Sequence, residues 1–261
     1  VDNKGFVDVE ALAGLIRPDT TLVSIMAVNN EIGSTQPIQA ISELLADKPT
    51  ISFHVDAVQA LAKISTEKYL TDRVDFATFS GHKFHGVRGV GFVYIKSGKK
   101  ITPLLTGGGQ ERDYRSTTEN VAGIAATAKA LRLSMEKLDI FTSKTGQMKA
   151  VIRQALLDYP DIFVFSDEED FAPHILTFGI KGVRGEVIVH AFEDYDIFIS
   201  TTSACSSKAG KPAGTLIAMR VDKDKAQSAV RLSLDLENDM SQIEQFLTKL
   251  KLIYNQTRKV R

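Results

Sequence analysis

A hydroxyl, an imidazole and an amine lie within one short stretch, Phe79-Ser80-Gly81-His82-Lys83-Phe84-His85-Gly86. Ser80 and His82 offer two donors to a phosphate group, and burial can drive the Lys83 amine toward its neutral, nucleophilic form. Upstream, Ile51-Ser52-Phe53-His54-Val55-Asp56-Ala57 ends in a carboxylate, with Gln59 one short turn later. An amine together with a carboxylate for a ring nitrogen is the pairing that a pyridoxal-phosphate site needs. Taken singly, Asp56 reads as a solvated strand end and Lys83 as a surface lysine; Ser80 and His82 beside the lysine favour chemistry. Cys205 is the one cysteine, so it forms no internal disulfide. That leaves a buried filler or a reactive thiol, and the polar flanks Ser203, Ser206, Ser207 and Lys208 favour exposure. His54, His85, His174 and His190 show no metal-ligand spacing and read as structural or peripheral, and no metal is expected.

The elements that must position these groups alternate. Asp8 is an N-cap candidate for a short helix with Val9, Leu12 and Ile16 on one side, stopped by Pro18. Leu22 to Val28 suits a strand covered on both faces, followed by Asn29-Asn30-Glu31-Ile32-Gly33. Pro37 opens a helix with Ile38, Ile41, Leu44 and Leu45 at helical spacing. Strands follow at Ile51 to Ala57, Val74 to Ser80 and Gly89 to Ile95. Alternation of this kind predicts an α/β fold with a mostly parallel sheet between helices, whose ligands gather at the carboxyl ends of strands. Gly107-Gly108-Gly109 is a loop, and Asn120 to about Leu138 a long helix with apolar Val121, Ile124, Ala128 and Leu131.

Beyond that helix the rhythm changes. Helices are expected at about Ser143 to Leu157 and Gly185 to Phe192, and strands at Ile175 to Phe178, Ile197 to Ser200 and Ala229 to Leu234. A last helix carries Ile243, Phe246, Leu247, Leu250 and Ile253. We therefore expect two domains, 1–138 built on the parallel sheet and 139–261 a small α+β layer. The segment Ser206 to Gly214, rich in Ser, Lys, Gly and Pro, is expected to be a mobile surface loop.

Composition narrows the partners. The 261 residues hold 43% hydrophobic and 25% charged side chains, which excludes disorder, collagen and coiled coil. Lys+Arg and Asp+Glu are 32 each, so no basic field holds nucleic acid or an anionic membrane. No apolar run approaches the roughly 20 residues of a membrane span. No charged-then-apolar leader is present, and the expected location is cytoplasmic.

Six blocks together carry a resemblance. They are Asn29-Asn30-Glu31-Ile32-Gly33, His54-Val55-Asp56-Ala57-Val58-Gln59, Ser80-Gly81-His82-Lys83, Gly107-Gly108-Gly109-Gln110-Glu111-Arg112 with Arg115-Ser116, Ser203-Ala204-Cys205-Ser206-Ser207, and Val230-Arg231-Leu232-Ser233-Leu234. In order and spacing they resemble the cysteine desulfurases, pyridoxal-phosphate enzymes of aminotransferase fold type I. The resemblance implies that Lys83 is the Schiff-base lysine, that Asp56 pairs the pyridinium nitrogen and that Gln59 bonds the phenolic oxygen. It implies that Ser80 and His82 hold the phosphate, that Asn30 and Arg231 hold the substrate carboxylate, and that Thr118 reaches the cofactor phosphate of a neighbouring subunit in a homodimer. Cys205 is then the nucleophile that takes sulfur from L-cysteine, releases L-alanine and becomes a persulfide. The implied acceptor is an iron-sulfur scaffold or a transfer-RNA thiolation enzyme. Arg112 and Arg115 receive no chemical role.

The chain departs from that pattern in places. Thr117 stands where the family usually has glycine, Asp235 where glycine commonly follows the Arg231 strand, and Thr201-Thr202 where Ser and Gly are usual. The resemblance begins partway into the family's large domain, so roughly the first third is expected to be missing, with its ring-stacking His and phosphate-binding turn. Weak cofactor binding and little turnover are then expected of this chain alone. Two other readings stay open: an aminotransferase or lyase of the same fold, which would not need Cys205, and a non-catalytic docking module that uses the Ser206 to Gly214 loop.

Overall fold

The computed structural model describes residues 1–167, 169–202 and 214–259. The chain divides into two compact units. One comprises Leu15–Ala27 and Ile38–Lys137; the other comprises Val1–Gly14, Val28–Pro37 and Leu138–Arg261.

The first unit is built on a four-stranded sheet in the order β1 (Leu22–Met26), β2 (Ser52–Asp56), β3 (Phe76–Ser80), β4 (Gly91–Ile95). β1, β2 and β3 are parallel, and β4 returns antiparallel to β3. The period-two alternation of these strands separates two faces. Val23, Phe53, Val55, Ala77 and Phe79 are buried, whereas Ser24, His54, Asp56, Thr78 and Ser80 are half-buried or exposed. Helix α2 (Ile38–Leu44) buries Ile38 and Ile41, as its spacing predicts. Its carboxyl end is closed from outside the helix: Arg73 donates to the carbonyls of Leu45, Lys48 and Ile51 at 3.0, 3.1 and 2.6 Å. The same guanidinium pairs with buried Asp75 at 2.8 Å, and Lys99 approaches that carboxylate at 3.3 Å.

Helix α3 (Val121–Met135) starts as expected, with the Asn120 side chain accepting from the Gly123 amide at 3.0 Å. Its buried side differs from the apolar stripe. Val121 and Ile124 are 71% and 44% exposed, while Gly123 and Thr127 are buried. Small residues face inward because neighbouring side chains crowd that side of the helix: a Cβ on Gly123 would stand 2.8 Å from a Val90 methyl.

The second unit holds helix α1 (Val9–Leu15) for most of its length, with the Asp8 carboxylate accepting from the Ala11 amide at 2.9 Å. Its antiparallel sheet runs in the order β5 (Ile162–Val164), β6 (Ile175–Ile180), β8 (Ala229–Ser233), β7 (Ser200–Thr201). Helices α4 (Leu138–Leu157), α5 (Gly185–Glu193) and α8 (Met240–Lys259) cover it. Ile243, Phe246, Leu250 and Ile253 of α8 are buried at the spacing of one helical face, and Phe246 stacks on Phe192 with ring centroids 5.0 Å apart. Two short helices, α6 (Gly214–Ala218) and α7 (Lys223–Gln227), complete the unit. The strand expected over Ile197 to Ser200 is two residues long and begins at Ser200. The expected loop from Ser206 lies outside the described residues, except that Gly214 opens α6.

Candidate active site

Three parallel strands of the first unit end on the same edge. Asp56 is level with Met26 on one side and Thr78 on the other. Ser80 lies two residues beyond Thr78, about 7 Å further along β3, and the chain passes at once into the 3-10 turn Gly81–Phe84. Asp56, Gln59, Ser80, His82 and Lys83 therefore occupy the carboxyl edge of two neighbouring strands, where open α/β sheets hold their ligands.

The lysine-bearing turn is fixed by backbone contacts that leave no room for side chains. The Gly81 amide donates to Val90 O at 2.9 Å, and the Gly86 amide donates back to Gly81 O at 2.8 Å. Between them His85 takes a left-handed conformation with φ of 67°. A Cβ on Gly86 would stand 2.7 Å from Gly81 O. Helix α3 presses on the turn from the other side: a Cβ on Gly81 would meet the Thr127 methyl at 3.0 Å, and Ser134 Oγ donates to Phe84 O at 3.2 Å. Lys83 is half-buried and His82 exposed. The Ser80 side chain makes no capping bond to the turn it precedes.

Asp56 accepts from the Val58 amide at 3.0 Å through Oδ1, and a carboxylate has capacity for several further donors. Two residues earlier on the same face, His54 spans three strands: Nδ1 lies 2.7 Å from Ser24 Oγ on β1, and Nε2 lies 3.0 Å from Thr78 Oγ1 on β3. Burial lowers the pKa of this imidazole below its ordinary value, against the opposing charge of Asp56. Sequence reasoning left His54 as structural; its place two residues before Asp56, on the same face of one strand, was the signal that could have found it.

The glycine loop of this unit is held by Ser116, whose Oγ donates to Gly108 O at 2.9 Å and whose amide donates to Leu105 O at 3.1 Å. Thr117 keeps a positive φ of 137°, and its hydroxyl accepts from Arg115. Thr118 is exposed.

In the second unit, three successive carbonyls of the loop after Val28 are each taken by a side chain. Arg231 Nη1 of β8 donates to Asn30 O at 2.7 Å, Thr177 Oγ1 of β6 to Glu31 O at 2.6 Å, and Ser166 Oγ to Ile32 O at 2.5 Å. The same loop grips the start of α6: Glu31 Oε2 accepts from the Thr215 amide at 3.0 Å, and Asn29 Nδ2 donates to Thr215 Oγ1 at 3.1 Å. Asn30 and Arg231 are thus brought together in this unit. Glu31, Ser166 and Thr177 were missed in the sequence; Glu31 had the block around Asn30 as a signal, while nothing in local spacing points to the other two. Cys205 lies outside the described residues. Among the described residues no cluster of His, Cys, Asp and Glu could hold a metal ion, and no helix is long and apolar enough to cross a membrane.

Comparison with known proteins identifies relatives of this chain. Residues 1–246 match the family described as aminotransferase class-V. A NifS/IcsS protein homolog of Lactobacillus delbrueckii subsp. bulgaricus is 50% identical over 261 residues, covering 100% of this chain and 68% of its own length. The cysteine desulfurase IscS of Clostridium botulinum is 38% identical over 264 residues, covering 100% of this chain and 66% of its own. A solved structure of a NifS-like protein superposes with a TM-score of 0.89 at 36% identity, covering 98% of this chain and 67% of that one. The chain spans about two thirds of the length of the curated relatives it matches.

Proposed function

Because this chain belongs to the class-V aminotransferase family, among relatives named cysteine desulfurases, we propose that it carries the working residues of a pyridoxal-phosphate-dependent cysteine desulfurase. The reaction takes sulfur from L-cysteine, releases L-alanine and leaves a persulfide on Cys205. The supporting observation is the placement of the Lys83 turn and the Asp56 carboxylate at the carboxyl ends of adjacent parallel strands.

The residues fit the cofactor. Ser80 is not spent on capping, Asp56 has acceptor capacity beyond its Val58 contact, and the turn around Gly86 is folded too tightly for a Cβ. When bound, pyridoxal phosphate supplies an electron sink that eases cleavage of bonds at the substrate carbons. Lys83 would hold it through the side-chain amine and, once released, carry protons. Asp56 would keep a proton on the ring nitrogen, Gln59 would donate to the phenolic oxygen, and Ser80 and His82 would bind the phosphate. Thr118 would do the same for a second subunit in a homodimer. Asn30 and the planar fork of Arg231 would hold the substrate carboxylate. The Cys205 thiolate would attack the substrate sulfur and then pass it to an acceptor protein, an iron-sulfur scaffold or a transfer-RNA thiolation enzyme. We assign 1–138 to the second half of the large cofactor-binding domain, apart from Val1–Gly14 and Val28–Pro37, which group with the later residues, and 139–261 to the small domain with the Cys205 segment, in a cytoplasmic protein.

The test is to add pyridoxal phosphate and L-cysteine and to follow cofactor absorbance, alanine and persulfide together. Lys83→Ala should abolish the bound-cofactor band. Cys205→Ala should abolish persulfide while the band survives. Turnover of L-cysteine to a keto acid, with or without release of sulfide, that persists in Cys205→Ala rejects the assignment and favours an aminotransferase or lyase.

A further inference from the structure

We infer that His54 is a positioning residue for Asp56: its ring ties β1, β2 and β3 together through Ser24 and Thr78, on the sheet face where the carboxylate stands. The inference rests on the cofactor reading above and assigns a task to a residue outside that donor set.

The geometry is specific. A neutral imidazole has one donor and one acceptor, and each hydroxyl can play either part, so both contacts are satisfied in either tautomer. The opposite face of β2 is already fixed by the buried side chains Phe53 and Val55. On the ligand face the packing is thinner: Phe76 beside His54 is buried, but Ser24 is exposed and His54 and Thr78 are half-buried. The His54 bridge supplies there the cross-strand restraint that core packing supplies on the other side, one side-chain repeat before the strand ends at Asp56.

Charge makes the bridge more than a brace. Ser24 from β1 and Thr78 from β3 face the ring as neutral hydroxyls, and Asp56 on its own strand is the charge that acts on it. Burial keeps the ring uncharged at neutral pH, so the Asp56 carboxylate is left to a cationic partner such as a pyridinium nitrogen. Protonation of His54 would place a second cation beside that carboxylate and repel the first.

Four variants and two readouts test this. Without cofactor, the nitrogen-15 resonances of the His54 imidazole should titrate below the ordinary histidine range and move lower still in Asp56→Asn. With cofactor, His54→Phe, which fills the space without bonding, should weaken pyridoxal-phosphate binding about tenfold. His54→Gln keeps one donor and one acceptor and should bind within about twofold of the parent at neutral pH. The parent should also lose affinity relative to His54→Gln as the pH falls through the His54 titration that the nitrogen-15 resonances report, because only the parent gains the cation. A His54 titration indifferent to Asp56→Asn overturns the coupling. Equal binding by His54→Phe and the parent, in a protein whose binding does fall with Asp56→Asn, overturns the positioning role alone. If Asp56→Asn and Lys83→Ala both leave cofactor binding unchanged, the cofactor reading itself fails and this role falls with it.

Discussion

Arg231 Nη1 donates to the carbonyl of Asn30 at 2.7 Å, joining by one bond the two residues assigned to the substrate carboxylate. An arginine that braces the backbone of its own co-ligand cannot be exchanged for lysine at small cost. Lysine keeps the charge but loses the planar fork that can serve two oxygens at once. Arg231→Lys should raise the KM for L-cysteine about tenfold, the scale of one charge-assisted hydrogen bond, and leave pyridoxal-phosphate affinity unchanged. Steady-state kinetics with a separate cofactor titration separates the two. An equal fall in cofactor affinity would move Arg231 from substrate to cofactor.

The Lys83 turn should tolerate no enlargement of Gly86. A methyl there would stand 2.7 Å from the Gly81 carbonyl oxygen, and neither backbone group can swing aside as a side chain could. Gly86→Ala should cost about 2 kcal/mol, in the range for forcing an extra methylene into a packed site. The displaced turn should also reduce cofactor binding, while circular dichroism reports an intact sheet. Normal cofactor absorbance in a stable Gly86→Ala protein would show that the turn does not position Lys83.

Asp75 should make the fold acid-sensitive. Burial raises its pKa, but the Phe53 amide, Arg73 and Lys99 together outweigh burial and hold the carboxyl below its ordinary value. A carboxyl depressed in the folded state contributes stability above its unfolded pKa of about 3.9 and loses it as pH falls through the folded value. Asp75→Asn should therefore cost about 3 kcal/mol near neutrality, the scale of breaking one side of a buried pair. The gap from the parent should close as acid protonates Asp75. Denaturant melts across the acid range give the curve, and a gap constant with pH would contradict the assignment.

Much of this organisation was legible beforehand. Strands β2 and β3 and helix α8 follow from alternation and helical spacing, because one side of each is buried and that side is written in apolar residues; β1, expected to be covered on both faces, exposes Leu22 and Met26, and β4 buries no residue. Helix α3 shows where such reading stops. Its apolar residues Val121 and Ile124 lie outward, and its inward side is Gly123 and Thr127, chosen for closeness to the Lys83 turn and not for hydrophobicity. The site divides in the same way. Asp56, Ser80 and Lys83 announce themselves by type at strand ends. The bonds from Ser166 to the Ile32 carbonyl and from Thr177 to the Glu31 carbonyl join residues more than a hundred positions apart, which no local pattern encodes.

Thr117 provides the last prediction. The resemblance placed a β-branched residue where glycine is usual, and the structure keeps glycine's geometry there, with φ at 137°. Such a conformation costs a side chain about 1–3 kcal/mol, whereas glycine loses only about 0.5–1 kcal/mol through the greater freedom of its unfolded chain. Thr117→Gly should therefore stabilise the protein by about 1 kcal/mol, visible as a higher Tm, provided that the bond from Arg115 to the threonine hydroxyl contributes no more than a typical exposed contact. Arg115→Ala on both backgrounds settles that condition: it should matter little with either residue at 117. A lower Tm in Thr117→Gly, with a large Arg115→Ala effect confined to the threonine background, would show that the side-chain bond, and not the backbone angle, determines the loop's stability.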